Sequence, residues 1–181
     1  SSYDLGYDLS TERKEAENWV ILTFSLPPDT DLSSPGQIAA DLNFQRAREF
    51  HELGLYAEAS REMAVLTNAY NSDPAQLFRL LDSLLEMGLY RSAIITSRQI
   101  LDLAGLDDSS TLKAPVYFNH IRFGAYFREE VLQAARNENI HPFVLFSVLR
   151  QESMFEGFVQ SSAGARGIMQ IMPTTGQEIA G

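Results

Sequence analysis

The chain has no cysteine among its 181 residues. That excludes disulfides, thiolate metal sites and a cysteine nucleophile, and it leaves the compartment open. No apolar run approaches the ~20 residues a membrane-spanning helix needs, so the chain is not expected to span a membrane. His51, His120 and His141 have no metal-ligand spacing among themselves or with acids, and read as structural or surface residues. A phosphate loop, a Ser-His-Asp order and an EF-hand are all missing. No metal and no cofactor are expected. There is no basic stripe on a chain of net charge −10, which argues against nucleic acid as a partner. Aspartate is absent from residues 109–181, where the acids are Glu129, Glu130, Glu138, Glu152, Glu156 and Glu178.

What remains is an ordinary globular composition, 45% hydrophobic and 10% aromatic. The charge is unevenly placed. Residues 1–108 hold 18 acids and 8 bases, whereas residues 109–181 hold 6 of each. The shift coincides with Asp107-Asp108-Ser109-Ser110 and Pro115, a candidate boundary between a region 1–110 and a region 111–181.

The fold class is read as all-α, because no run shows period-two alternation with β-branched enrichment. Ser10-Thr11-Glu12 opens a helix that runs through Trp19 and stops before Pro27-Pro28. After a loop, Ser34-Pro35 is expected to start a second helix. An internal repeat follows. Glu52-Leu53-Gly54-Leu55-Tyr56 returns as Glu86-Met87-Gly88-Leu89-Tyr90, with Phe44 and Phe78, Ala59 and Ala93, and Leu66 and Ile100 at the same offset of 34 residues. That is the tetratricopeptide period of paired helices. Two such units should lean on neighbours at both ends. From Tyr117 the pattern changes: Phe118, Ile121, Phe123, Tyr126 and Phe127 form a dense aromatic cluster. A helix is read from Val131 to Asn139, a turn at Asn139-Ile140-His141-Pro142, and a helix from Phe143 to Glu152.

That last helix places Leu145, Val148, Leu149 and Glu152 at i, i+3, i+4 and i+7, on one face. Burial on such a face and the C-terminal end of the macrodipole would both favour the neutral carboxylic acid, the form that donates a proton. The other reading is that Glu152 reaches solvent past the end of the helix. Downstream lies S-S-A-G-A-R-G-I-M-Q-I-M-P, Ser161 to Pro173. Its small residues let backbone pass close to something. Gln170, set among Ile168, Met169, Ile171 and Met172, should hold a ligand or a backbone turn. Met side chains suit an irregular wall against a sugar face. Glu156 reads as a solvated loop acid, since Gly157 ends the helix.

R-Q-E-S followed by S-S-A-G-A-R-G-I-M-Q-I-M-P resembles the catalytic core of soluble lytic transglycosylases, whose SLT domain has a goose-lysozyme-like fold. Their pattern is E-S, then S-x-x-G-A-x-G-L-M-Q, then Pro-x-T. Here Ser161 lies nine, Gln170 18 and Met172 20 residues after Glu152, and Ile168 stands in the place of Leu. The resemblance covers roughly Pro115 to Gly181. A superhelical module ahead of the catalytic domain is typical of the larger members. The resemblance implies tetratricopeptide-like hairpins followed by the N-terminal part of a lysozyme-like α domain. It implies cleavage of the β-1,4 bond between N-acetylmuramic acid and N-acetylglucosamine, with a 1,6-anhydro product. Glu152 would be the single acid/base and Ser153 would support the local turn. Ser161 would bond near the N-acetyl group or the reacting hydroxyl, and Gln170, Met172, Met169 and Gly167 would line the muramic-acid subsite. The implied partner is peptidoglycan, in the bacterial cell envelope after export. The helical repeats would be a surface for a protein partner. Family domains continue past the Met-Pro segment with an Ala-Tyr-Asn-Ala-Gly-like stretch, so the chain is expected to be a fragment cut inside the catalytic domain, one that can expose core surface or be inactive. Two rivals remain: a muramidase that uses water on the same scaffold, and a helical-repeat binding module without enzyme activity.

Overall fold

The computed structural model describes residues 9–180. Among them the regular elements are helices, with two isolated β-bridges in the C-terminal part. The chain divides into two compact units, one ending at Gly124 and one beginning at Ala125.

The first unit holds α1 (Ser10–Thr23), α2 (Leu42–Glu52), α3 (Tyr56–Ala69), α4 (Pro74–Glu86), α5 (Tyr90–Leu103) and α6 (Val116–Arg122). The 34-residue repeat appears as two hairpins, α2 on α3 and α4 on α5. Its apolar positions are the ones that disappear from solvent: Phe44 and Phe78, Ala59 and Ala93, Leu66 and Ile100 are all buried. Each hairpin turns at its glycine, Gly54 at φ +75° and Gly88 at φ +66°, a left-handed conformation that costs a side-chain-bearing residue about 1–2 kcal/mol. The tyrosine after each turn packs back across it: Tyr56 sets its ring edge-on to His51 at 5.4 Å, and the Tyr90 ring lies over Gly88. Asp73 caps α4 through the amides of Ala75 and Gln76, with Pro74 in the first turn. One start differs from expectation. Pro35 leads only into a short 3-10 turn, Gly36–Ala40, and α2 begins after Asp41, whose carboxylate accepts from the Asn43 amide at 2.7 Å. A capping side chain fixed this start, where proline geometry alone did not.

The second hairpin is enclosed by α1 and α6. On α4, Leu77, Phe78, Leu80, Leu81, Ser83, Leu84 and Leu85 are all buried, so this helix is covered on nearly every side. Arg13 of α1 organises one contact. It donates to Asp82 at 2.6 Å, to Glu17 at 3.1 Å and to the Leu32 carbonyl at 2.7 Å, and lies over the Phe78 ring at 5.2 Å. Burial lowers the Arg13 guanidinium, but the pull of Asp82 more than reverses this and leaves it raised. Burial also pushes the Asp82 carboxyl above its ordinary value, against the pull of Arg13. Tyr117 and Phe118 of α6 stack beside Phe78 at 5.9 and 6.1 Å. His120 meets Glu12 at 2.6 Å.

The aromatic run read from Phe118 to Phe127 spans the end of the first unit and the start of the second. Tyr117, Phe118 and Ile121 are buried in the first unit, Phe123 is exposed, and Tyr126 is buried in the second. The acidic stretch at residues 107–110 is a capped turn: Asp107 accepts from Ser109 Oγ, Ser110 Oγ and the Ser110 amide. The Ser110 and Ser109 hydroxyls draw its carboxyl down to about 2. Asp108 takes Arg98 and the buried Arg122, both at 2.9 Å. The first compact unit thus runs past the charge shift, because α6 packs on α5 and α1.

The second unit holds α7 (Arg128–Asn137), α8 (Pro142–Ser153) and α9 (Pro173–Ala180). Helices α7 and α8 pack together through Val131, Ala135 and Leu149, and the Tyr126 and Phe155 rings meet at 5.1 Å. His141 caps α8 by accepting from the Phe143 amide, and Pro142 occupies the first turn. Among the described residues, no helix is long and apolar enough to cross a membrane.

Candidate active site

The C-terminal end of α8 carries Glu152 and Ser153. There the backbone reverses abruptly, with Met154 at φ +52° and Phe155 at φ +66°. Two consecutive left-handed residues without a glycine cost on the order of 1–2 kcal/mol each. The reversal turns Phe155 into the core and leaves Glu152 at the open end of the helix. Glu152 is exposed. Of the two readings of this acid, the structure favours the one in which it reaches solvent. The buried carboxyl is Glu156, at 4% exposure, which corrects its reading as a solvated loop acid. Gly157 does follow the end of α8, yet the glutamate before it is withdrawn from solvent.

Ser153 is 2% exposed, and its hydroxyl lies 3.2 Å from the Leu149 carbonyl and 2.8 Å from the Ile168 carbonyl. The second bond ties the end of α8 directly to the Gly-rich segment. That segment is built from interlocking turns. Ser161 Oγ accepts from the Ala165 amide at 3.0 Å, and its own amide donates to the Ala165 carbonyl at 2.9 Å. Arg166 and Ile171 exchange backbone hydrogen bonds at 3.0 and 3.1 Å. Gly167, at φ +75°, donates to the Val159 carbonyl, and a β-carbon there would lie 3.8 Å from the Gly157 carbonyl oxygen.

Gln170, at φ +48°, donates its amide to the Val159 and Gly167 carbonyls at 3.2 and 2.8 Å. Of its two expected roles it fills that of holding a backbone turn. The loop thereby presents Met169, Ile171 and Met172 outward, each about two-fifths exposed. Beside it lies an apolar recess of about 440 Å³, lined by Val131 and Ala134 of α7, Leu145 and Leu149 of α8, and Ile168 and Met169. Leu145 and Leu149 share their helix face with Glu152, which stands one turn beyond Leu149.

The site residues read from the sequence thus converge on one small assembly. Glu152 is the exposed carboxyl, Ser153 the latch, and Ser161, Gly167 and Gln170 the frame of the loop. Met169 and Met172 form its apolar surface. The sequence reading missed the Met154-Phe155 reversal and the burial of Glu156. No glycine marks that turn, so only the apolar character of Phe155 hinted at it.

Residues 129–181 match the Transglycosylase SLT domain family. Over 79 residues, 44% of its length, the chain is 37% identical to a putative soluble lytic murein transglycosylase of Haemophilus influenzae. The match spans 13% of that relative's length. The fold is similar to the X-ray structure of an inactive Glu-to-Gln mutant of the lytic transglycosylase Slt from Pseudomonas aeruginosa. The TM-score is 0.63 at 24% identity, over 88% of this chain and 25% of that one. Residues 129–181 are thus similar to the Transglycosylase SLT domain family, and the chain shares the fold of the corresponding quarter of the solved Slt structure.

Proposed function

We propose that the chain carries the acid/base portion of a peptidoglycan lytic transglycosylase. The observation that carries this reading is the Ser153–Ile168 bond at 2.8 Å. It fixes an exposed carboxyl beside a rigid loop whose outward face is methionine and isoleucine. A sugar ring has an apolar face that such a surface suits, and the proposal sets the glycosidic oxygen against Glu152.

Ordinary glycosidases use two flanking carboxylates. Here the second carboxyl of the motif region, Glu156, is buried, which favours a mechanism with one. Glu152 protonates the departing oxygen of N-acetylglucosamine while the N-acetyl oxygen of the muramic residue closes onto C1. The Glu152 carboxylate then takes the proton from the muramic O6 hydroxyl. O6 attacks C1, the acetamido group is released, and a 1,6-anhydro ring forms. No water is consumed, and Glu152 ends as it began. Gln170 and Gly167 hold the loop, Met169 and Met172 pack on the muramic residue, and Ser161, whose hydroxyl hydrogen is free to donate, bonds near the N-acetyl group. The place of action is the cell envelope, outside the cytoplasmic membrane.

The test is mass spectrometry of muropeptides released from purified peptidoglycan by the longest natural form of the chain and by its Glu152→Gln variant. Anhydro products that vanish in the variant support the proposal. Reducing-end products carrying one more water make the protein a muramidase, and the absence of any release removes the enzymatic reading.

A further inference from the structure

The Glu152 carboxyl makes no hydrogen bond or ion pair with another described residue. That is ordinary for an exposed carboxylate. Its consequence is that no neighbouring side chain aims the group, so its place is set by the backbone that carries it. That backbone is the last turn of α8, and α8 ends at the reversal of Met154 and Phe155. There the Met154 amide donates to the Arg150 carbonyl at 3.1 Å and the Phe155 amide to the Leu149 carbonyl at 3.5 Å.

The residues at the reversal are unsuited to it. Left-handed backbone is rare for a bulky side chain, and neither position holds glycine or asparagine. Right-handed values there would carry α8 on toward Gly157 and enclose Glu152 within the helix. They would also set Glu156 one turn from it, two like charges at an unfavourable spacing. The local preference is overridden by packing. The Phe155 ring is 2% exposed and meets the fully buried Tyr126 ring at 5.1 Å. Burial and ring contact both oppose the cost of the turn. The residue after Tyr126 is Phe127, itself left-handed at φ +56° where it leads into α7. One ring pair thus ties together three left-handed residues without glycine, at the start of α7 and at the end of α8. Backbone held in such conformations by its surroundings clusters at functional sites.

We propose that Phe155, backed by Tyr126, is the positioning residue for Glu152. The buried ring keeps the chain reversed, the reversal fixes the last turn of α8, and that turn fixes where the carboxyl stands. The inference rests on the reading of Glu152 as the group that moves the protons. A proton donor must sit within hydrogen-bond reach of the oxygen it serves, and a misplacement of about 1 Å costs such a step about 100-fold. Phe155 is buried and acts only through the backbone.

The test compares Phe155→Ala, Phe155→Leu, Tyr126→Leu and Ala135→Gly in the longest natural form of the chain, acting on soluble glycan strands. Ala135 is buried in α7, and its replacement loosens the same unit away from the reversal. Phe155→Ala should lower kcat about 10-fold or more with KM within about 2-fold. The amide order parameters of Glu152 and Met154 should fall from about 0.85 to below about 0.6. Phe155→Leu, which refills the core, should recover most of both, and Ala135→Gly should change neither. Tyr126→Leu removes only the ring behind Phe155 and should move kcat the same way by a smaller factor, which keeps the inference testable if Phe155→Ala does not fold. Unchanged kcat in Phe155→Ala, or in Tyr126→Leu where the alanine variant does not fold, overturns the proposal. So does a rise in KM alone, or an equal fall of kcat in Ala135→Gly, the mark of lost stability. Absence of release by the unsubstituted protein removes the glycan reading itself and this inference with it.

Discussion

Replacing Ser153 by alanine removes one oxygen atom and should loosen the whole motif loop. The Ser153 hydroxyl is the hydrogen-bond partner of the Ile168 carbonyl among the described residues, at 2.8 Å, and the serine is 2% exposed. The Leu149 carbonyl, its other neighbour, still has partners in the helix. The loss is therefore that of one part-buried hydrogen bond, about 0.5–1.5 kcal/mol. That free energy corresponds to about a 2- to 12-fold rise in the opening equilibrium of the loop. Amide hydrogen exchange reads it at two positions: the Gly167 amide, bonded to the Val159 carbonyl at 3.1 Å, and the Gln170 amide, bonded to the Gly167 carbonyl at 3.1 Å. Both should lose protection by that factor, while amides of α4 and α5 stay unchanged. Ser147→Ala is the control, since its hydroxyl bonds within α8 at an exposed position, and its effect should stay within about 0.5 kcal/mol. Unchanged protection at Gly167 and Gln170 in Ser153→Ala would refute the view that this serine holds the loop to the helix.

Two further outcomes follow from the first unit. Arg13→Ala removes the ion pair with Asp82, the bond to the Leu32 carbonyl and the contact on Phe78. With both partners largely withdrawn from water, the loss should be about 3 kcal/mol, read by urea unfolding through the fluorescence of Trp19 on the same helix; a change below about 1 kcal/mol would show the clasp to be weak. The Asp107 carboxyl is held at about 2 by Ser110 and Ser109. A folded value below the unfolded one means that this turn's stabilisation is present above the ordinary carboxylate range and is lost as pH falls through about 2. Ser110→Ala should move the Asp107 titration, followed by side-chain carboxyl NMR, back toward 3.8, and an unmoved titration would assign the depression to another cause.

Much of this architecture is legible in the chain because local and tertiary signals agree. The repeat glycines Gly54 and Gly88 sit where the backbone needs a left-handed residue, and Asp73-Pro74 starts a helix by capping and by ring geometry together. The SLT motif is legible for a different reason: its residues satisfy one another. Gln170 is polar among apolar neighbours because it closes the loop on the Val159 and Gly167 carbonyls. The features that escaped are those set by non-local packing. Nothing in the amphipathic pattern of α1 announces that Arg13 will find Asp82, 69 residues away. The aromatic run from Tyr117 to Phe127 spans the boundary between the two units, and hydrophobicity alone does not mark that α6 ends at Arg122. The i, i+3, i+4, i+7 spacing put Glu152 on an apolar face correctly, yet spacing says nothing of what covers that face, and Glu152 is exposed.

In the proposed reaction Glu152 alone moves the protons of a cleavage that uses no water. Digesting purified peptidoglycan in water enriched in heavy oxygen, with the longest natural form of the chain, reads this out in the masses of the released muropeptides. Muramic ends should be lighter than the hydrolytic product by one water, should carry no heavy oxygen at C1, and should vanish in Glu152→Gln. Muramic ends that carry heavy oxygen, or release that persists in Glu152→Gln, would refute the mechanism.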